Sequence, residues 1–129
     1  MKTLNCREQA KEIYEICIKT KKCLSYEEVL NSLGYEKGVS GQAIRYGLEL
    51  VLIACAELGL PILTSVVVNK MTGCPSAGNY PDGWEKETQK VFDHKNWRNA
   101  NKINWEDVYK NRVQLSEKYG TKGYWSNNR

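Results

Sequence analysis

The sequence predicts an α+β fold that is mainly helical. Residues 40–58 are apolar or small around most of a helical circumference, which is typical of a helix buried at the centre of a small domain. Other segments also have apolar residues at helical spacing: 4–19, 26–33, 83–94 and 104–119. Residues 62–68 are rich in β-branched residues and predict a short strand.

The first two helices have clear sequence boundaries. In residues 4–19, Ile13, Ile16 and Cys17 form an apolar stripe, and the opposite face is charged. Ser25 and Glu28 match the S-x-x-E capping box, in which each side chain accepts a hydrogen bond from the other residue's amide. We therefore expect a second helix at 26–33, which Gly34 ends.

The central helix is expected to begin at Ser40 and to end at Gly59, because Pro61 cannot continue a helix. Gln42, Arg45 and Glu49 lie on its polar side at helical spacing. The predicted strand follows, and residues 69–73 predict a turn.

A short helix, a glycine-containing turn and a second helix have the outline of a helix-turn-helix. The strand and turn that follow would then be the first limb of a wing. The predicted fold is a winged-helix-like core with a long buried central helix and a short β-strand or wing, plus two C-terminal helices.

The C-terminal part has two helix-start signals, Asp82-x-x-Glu85 and Asn104-x-x-Asp107. They predict helices at about 83–94 and 104–119. We expect one domain over residues 1–129: a core of 1–80, C-terminal helices of 81–120 packed on it, and a tail of 121–129.

Composition excludes several classes of protein. The longest uninterrupted apolar run, residues 50–56, is too short to span a membrane, and no secretory signal is present, which predicts a cytoplasmic protein. Five cysteines without a C-x-x-C motif and a single histidine, His94, predict neither a metal site nor a cofactor. The net charge of +4 permits a polyanionic partner.

The residues carry no catalytic motif, so we expect a non-enzymatic protein. A nuclease-type metal site would need a carboxylate two residues before Lys70, and Val68 stands there. His94 falls at a helix end, where it suits the terminal carbonyl groups. Cys74 is an accessible loop thiol, and a phosphate-binding glycine loop is absent.

Residues 24–75 resemble two groups of proteins. The run Gly59-Leu60-Pro61, Leu63-Thr64 and Val67-Val68-Asn69-Lys70-x-Thr72-Gly73-x-Pro75 matches a G-L-P-x-L-T…V-V-N-K-x-T-G-x-P signature of short uncharacterised bacterial and phage proteins. More distantly, Ser25-Tyr26-x-Glu28-Val29 and the V-V-N turn resemble the winged-helix domain of alkylguanine-DNA alkyltransferases and alkyltransferase-like proteins. That second resemblance implies DNA binding and extrusion of a damaged base.

This chain departs from the transferase pattern at the reactive site. The family has Pro-Cys-His-Arg before the V-V pair, whereas residues 61–65 are Pro-Ile-Leu-Thr-Ser. Cys74 follows the turn and does not replace the nucleophile, so alkyl transfer is excluded. The arginine that enters the duplex in that family would fall near Gln42, with Arg45 one turn on.

The leading hypothesis is a non-enzymatic, winged-helix-like protein that binds DNA through Lys37, Gln42, Arg45 and Lys70. The alternative is a phage or mobile-element accessory protein that binds and inhibits a host defence protein through Tyr124 and Trp125, aromatic residues outside any predicted helix. A third hypothesis is a nucleotide-binding loop at Thr72–Tyr80. Interleaved aromatic and basic residues after position 83 favour core packing over a stacking platform for single strands.

Overall fold

Two long helices pack against each other at the centre of the protein. The computed structural model describes residues 4–75, 80, 83–98 and 100–119. Its helices and strands are α1 (Cys6–Lys19), β1 (Leu24–Ser25), α2 (Tyr26–Ser32), α3 (Arg45–Leu58), β2 (Val67–Val68), α4 (Trp84–Asp93), α5 (Trp105–Lys110) and α6 (Arg112–Lys118). Three 3₁₀ turns cover Gly41–Ile44, Leu63–Val66 and Ala100–Lys102. The described part of the chain is thus mainly helical, as predicted, and contains one two-stranded parallel sheet.

The interface between α1 and α3 forms the core. Ile13, Tyr14 and Cys17 on α1 are buried, and every residue of α3 from 47 to 55 is buried as well. This burial confirms the prediction that the central helix is apolar because it is enclosed. Its start differs from the prediction, since Ser40 caps the 3₁₀ turn Gly41–Ile44 and the α-helix begins at Arg45.

The predicted capping box at the start of α2 is confirmed. The Glu28 amide donates to the Ser25 hydroxyl at 3.1 Å, and the Ser25 amide donates to the Glu28 carboxylate at 3.0 Å. Gly34 follows the helix with φ of +89°, a conformation that favours glycine. These two signals fix the length of α2 as the sequence predicted.

The prediction of a strand over residues 62–68 is wrong for most of that segment. Leu63–Val66 is a 3₁₀ turn, and only Val67–Val68 forms a strand. The segment is buried, and its polar groups bond to α4: the Thr88 hydroxyl donates to the Ser65 carbonyl at 3.1 Å, and the Ile62 amide donates to Glu87 at 2.8 Å. These tertiary contacts override the local preference for an extended chain.

The strand β2 pairs in parallel with β1, with Leu24 opposite Val67 and Ser25 opposite Val68. The connection between the two strands contains both α2 and α3. The sequence predicted that this strand would be the first limb of a wing. In the described residues, β2 instead pairs with β1, which precedes α2 and α3 in the chain.

The single helix predicted for residues 104–119 is two helices. Asn104 caps α5 as predicted, because its side chain accepts from the Asp107 amide at 3.1 Å. The chain then breaks at Asn111, whose side-chain amide donates to the Asp107 carbonyl at 3.0 Å and ends α5. Asp82 and the tail 121–129 lie outside the described residues.

Candidate nucleic-acid interface

Three segments meet around Tyr26, the first residue of α2. The 3₁₀ turn Gly41–Ile44 and α3 together form the central segment, residues 41–58. A Cβ built on Gly41 would lie 3.4 Å from the Cβ of Tyr26, so the start of this central segment contacts the start of α2. Ser25, directly before Tyr26, pairs with Val68, so the turn at residues 69–73 also leaves the sheet at this end of α2. The sequence predicted each segment but gave no sign that Tyr26 joins them.

The turn after β2 is closed by its own hydrogen bonds. The Asn69 amide donates to the Cys74 carbonyl at 2.8 Å, and the Gly73 amide donates to the Asn69 carbonyl at 2.7 Å. Inside this ring, the Met71 amide donates to the Asn69 side chain at 2.8 Å. The predicted turn is therefore confirmed, and Lys70 and Met71 are exposed on it.

Lys70 lies within electrostatic reach of the capping box. The hydrogen bond from the Ser25 amide lowers the pKa of Glu28, and the ammonium groups of Lys22 and Lys70 lower it further. Lys22 Nζ lies 3.8 Å from Glu28 Oε2. Two lysines therefore flank one carboxylate at the start of α2, and Lys22 is a basic residue of this end that the sequence analysis missed.

Arg45 and Gln42 are in direct contact, as expected for residues one helical turn apart. The Arg45 guanidinium donates to the Gln42 side chain at 2.9 Å and to the Tyr46 hydroxyl at 2.7 Å. It also lies over the Tyr46 ring, 4.6 Å from its centroid. The half-buried guanidinium is thus held in place, while the side chain of Gln42 is exposed.

Lys37 is exposed on the connection between α2 and the central segment. It lies between two residues that line a groove of about 290 Å³, whose lining is Tyr26, Glu27, Leu30, Asn31, Glu36, Gly38, Val39 and Gly41. Among the described residues of this lining, Glu27 and Glu36 are charged, and none is a lysine or an arginine. The groove itself is therefore unsuited to phosphate, and the basic groups lie outside it.

The placement of Glu49 on the polar side of the central helix is wrong. Its side chain is 1% exposed and lines a cavity of about 10 Å³ with Tyr26, Leu48, Leu52, Thr64 and Val67. The helix is enclosed on this side because the segment containing Thr64 packs over it. Glu49 therefore cannot contact an external partner, and the polar residues of α3 that are accessible lie in its first and last turns.

The late aromatic residues that are described contribute to packing. Tyr14 of α1 contacts Trp105 and Trp97 edge-on, with ring centroids 5.9 Å and 6.2 Å apart. His94 ends α4 as expected, and its ring centroid lies 4.6 Å from that of Trp97. Tyr124, Trp125 and residues 76–79 of the proposed nucleotide loop lie outside the described residues.

Within the described ranges, no three His, Cys, Asp or Glu side chains cluster closely enough to hold a metal ion. Every helix there is too short or too polar to cross a membrane. Cys17, on the predicted apolar stripe of α1, and Cys55 on α3 are both buried, and burial raises the pKa of each thiol to about 12.

We compared the chain with protein-family models, curated proteins and solved structures, and none of them matches it.

Proposed function

We propose that this protein is a non-enzymatic, winged-helix-like nucleic-acid-binding protein that contacts duplex DNA with the end of the domain around Tyr26. The observation that supports this most is the meeting of three segments there: the start of α2, the first turn of the central segment and the turn after β2. In helix-turn-helix proteins the start of the second helix approaches the base edges, and the neighbouring elements contact the backbone.

The proposed contacts follow from the charge and exposure of the residues. Lys70 on the turn and Lys37 on the connection are exposed, and their ammonium groups can approach phosphates. Gln42 is exposed and has the amide group that hydrogen-bonds adenine edges well. Arg45 is held by Gln42 and Tyr46, and an arginine fixed before binding loses less side-chain entropy when it contacts DNA.

In this proposal the acidic groove forms no part of the interface. Glu27 and Glu36 would repel phosphates that approached it, so the duplex would contact the basic groups outside the groove. The repulsion would also restrict the orientation in which the duplex approaches. Neutralising Glu36 should therefore strengthen DNA binding, and it would do so most at low salt.

The test is fluorescence anisotropy of an end-labelled 20-base-pair duplex titrated with protein at about 50 and 200 mM salt. Wild-type protein should bind, and binding should weaken steeply at the higher salt. Arg45→Ala and Lys70→Ala should each weaken binding and reduce the salt slope by about one unit. Lys110→Ala is the matched control, because this exposed lysine on α5 lies outside the three segments.

Two results would end the proposal. One is the absence of binding at low salt by a protein whose circular dichroism and melting temperature show that it is folded. The other is equal weakening by Lys110→Ala and Lys70→Ala, because that would mean nonspecific attraction to the net positive charge. In either case the inhibition of a host protein through Tyr124 and Trp125 stays the alternative hypothesis.

A further inference from the structure

Met71 is the most exposed large hydrophobic residue of the described chain. Its side chain is 91% exposed, whereas Leu58, the next such residue, is 37% exposed. Burying a methionine side chain removes apolar surface from water, so a partner that covers this residue would be stabilised by the contact. Its position on the turn after β2 puts it beside Lys70, at the proposed DNA-binding end.

The turn holds Met71 in this position. The Met71 amide is bonded to the Asn69 side chain, and the ends of the turn are closed by the bonds between Asn69, Gly73 and Cys74. Thr72 contributes a further bond, since its hydroxyl accepts from the Cys74 amide at 3.2 Å. An exposed apolar side chain on a turn closed by its own hydrogen bonds loses little backbone entropy when it inserts into a partner.

The neighbouring charges favour a polyanionic partner over an apolar protein groove. Lys70 directly precedes Met71 and is exposed, whereas Lys22 at the same end forms an ion pair with Glu28, 3.8 Å from its carboxylate. Proteins that bind the minor groove combine basic groups on the phosphates with apolar wedges, methionine among them, inserted between base pairs. Lys70 and Met71 are this combination in two consecutive residues.

We propose that Met71 is an intercalating wedge that enters the minor groove of duplex DNA and partly unstacks one base step, with Lys70 on a flanking phosphate. This inference rests on the proposed function, because it requires that the end around Tyr26 contacts a duplex. It adds that the bound duplex is deformed, and that pyrimidine–purine steps, which unstack easily, are the preferred place of insertion.

The test uses one AT-rich duplex with several TA steps in two forms. The first form has an end label for anisotropy, and the second has 2-aminopurine in place of adenine at the TA steps. Wild-type protein should raise the 2-aminopurine fluorescence as it binds, because unstacking relieves quenching. Met71→Ala should abolish this rise in fluorescence and increase the Kd by at most about tenfold. The increase is limited because the cost of unstacking the bases offsets part of the free energy that burial of Met71 contributes. Met71→Leu should retain the rise.

Leu58→Ala is the matched control, because it removes another exposed large hydrophobic side chain, at the end of α3, and should change neither signal. Anisotropy without a 2-aminopurine rise, or a full rise with Met71→Ala, would overturn the wedge and leave DNA binding intact. Absence of wild-type binding by anisotropy would overturn the proposed function, and the wedge with it.

Discussion

The side chain of Gln9 on α1 lies directly against the backbone of Gly47 on α3. A Cβ built on Gly47 would be 2.6 Å from the Cβ of Gln9 and 2.8 Å from its side-chain oxygen. Gln9 is 5% exposed, and its amide nitrogen donates to the Tyr35 hydroxyl at 2.8 Å and to the Ala43 carbonyl at 2.7 Å. Through these two bonds, Gln9 joins α1 to Tyr35 on the connection after α2 and to Ala43 in the 3₁₀ turn before α3. Gly47 leaves room for Gln9 because it has no side chain.

Gly47→Ala should therefore destabilise the protein, even though alanine is the better helix former. The added methyl group would overlap Gln9, whose position is fixed by two hydrogen bonds, and relieving the overlap should cost about 1–3 kcal/mol. The measurement is urea unfolding followed by circular dichroism. Gly41→Ala is the control, because its Cβ would be in ordinary contact with Tyr26 at 3.4 Å. Equal effects of the two substitutions would contradict this reading of the interface.

Gln9→Met should also destabilise the protein, by about 1–3 kcal/mol, because it keeps the length of the side chain but leaves the Ala43 carbonyl without this donor. Tyr35→Phe removes the other hydrogen-bond acceptor of Gln9 and should lower the free energy of unfolding by a smaller amount. In a double-mutant cycle from urea unfolding, the two substitutions should be non-additive, since each breaks the bond between Gln9 and Tyr35. Strict additivity would show that this bond does not contribute.

Ser25→Ala should cost about 1 kcal/mol of folding stability through loss of the α2 cap. The capping box also makes stability depend on pH. Its hydrogen bonds lower the pKa of Glu28 below the ordinary value of 4.5, so its contribution is present above that pH and is lost as the pH falls through the folded-state pKa. Glu28→Gln should remove this part of the acid dependence, as measured by urea unfolding at several pH values between 3 and 7. If wild-type and Glu28→Gln proteins lose stability equally as the pH falls, Glu28 does not contribute to the acid dependence.

Cys17 and Cys55 should resist alkylation in the folded protein. Burial raises the pKa of both thiols to about 12, so the reactive thiolate is strongly disfavoured at either site at pH 8. Iodoacetamide followed by peptide mass spectrometry should label the half-buried Cys6, Cys23 and Cys74 first. Labelling of Cys17 and Cys55 should require denaturant, and their modification at the rate of Cys74 under native conditions would contradict the burial described here.

The sequence correctly predicted the features that depend on residues close to one another in the chain. The capping residues Ser25 and Asn104, the stop at Gly34 and the enclosed face of α3 were all predicted correctly, because each depends on residues a few positions apart. The subdivision into a core, C-terminal helices and a tail stays a prediction, as does the DNA-binding role of Lys37, Gln42, Arg45 and Lys70.

The errors came from contacts between distant residues. The 3₁₀ turn at Leu63–Val66 depends on bonds from α4, and the burial of Glu49 depends on the segment that contains Thr64. The break at Asn111 was within reach of sequence reasoning, because an asparagine in a helix can bond to its own backbone. Met71 also had a sequence signal, since it is an apolar residue within an otherwise polar turn.

The parallel pairing of β1 with β2 has a consequence for folding. Two strands of two residues each are far too short to be stable alone, and the loop that they close contains both α2 and α3. The pairing can form only once these helices have packed and offset the entropy of closing that loop. We therefore expect the turn that carries Lys70 and Met71 to acquire its orientation late in folding. Because contacts that form last can open first, hydrogen exchange at the sheet amides should report opening of the β1–β2 pairing, at a lower free energy than unfolding of the packed helices α1 and α3.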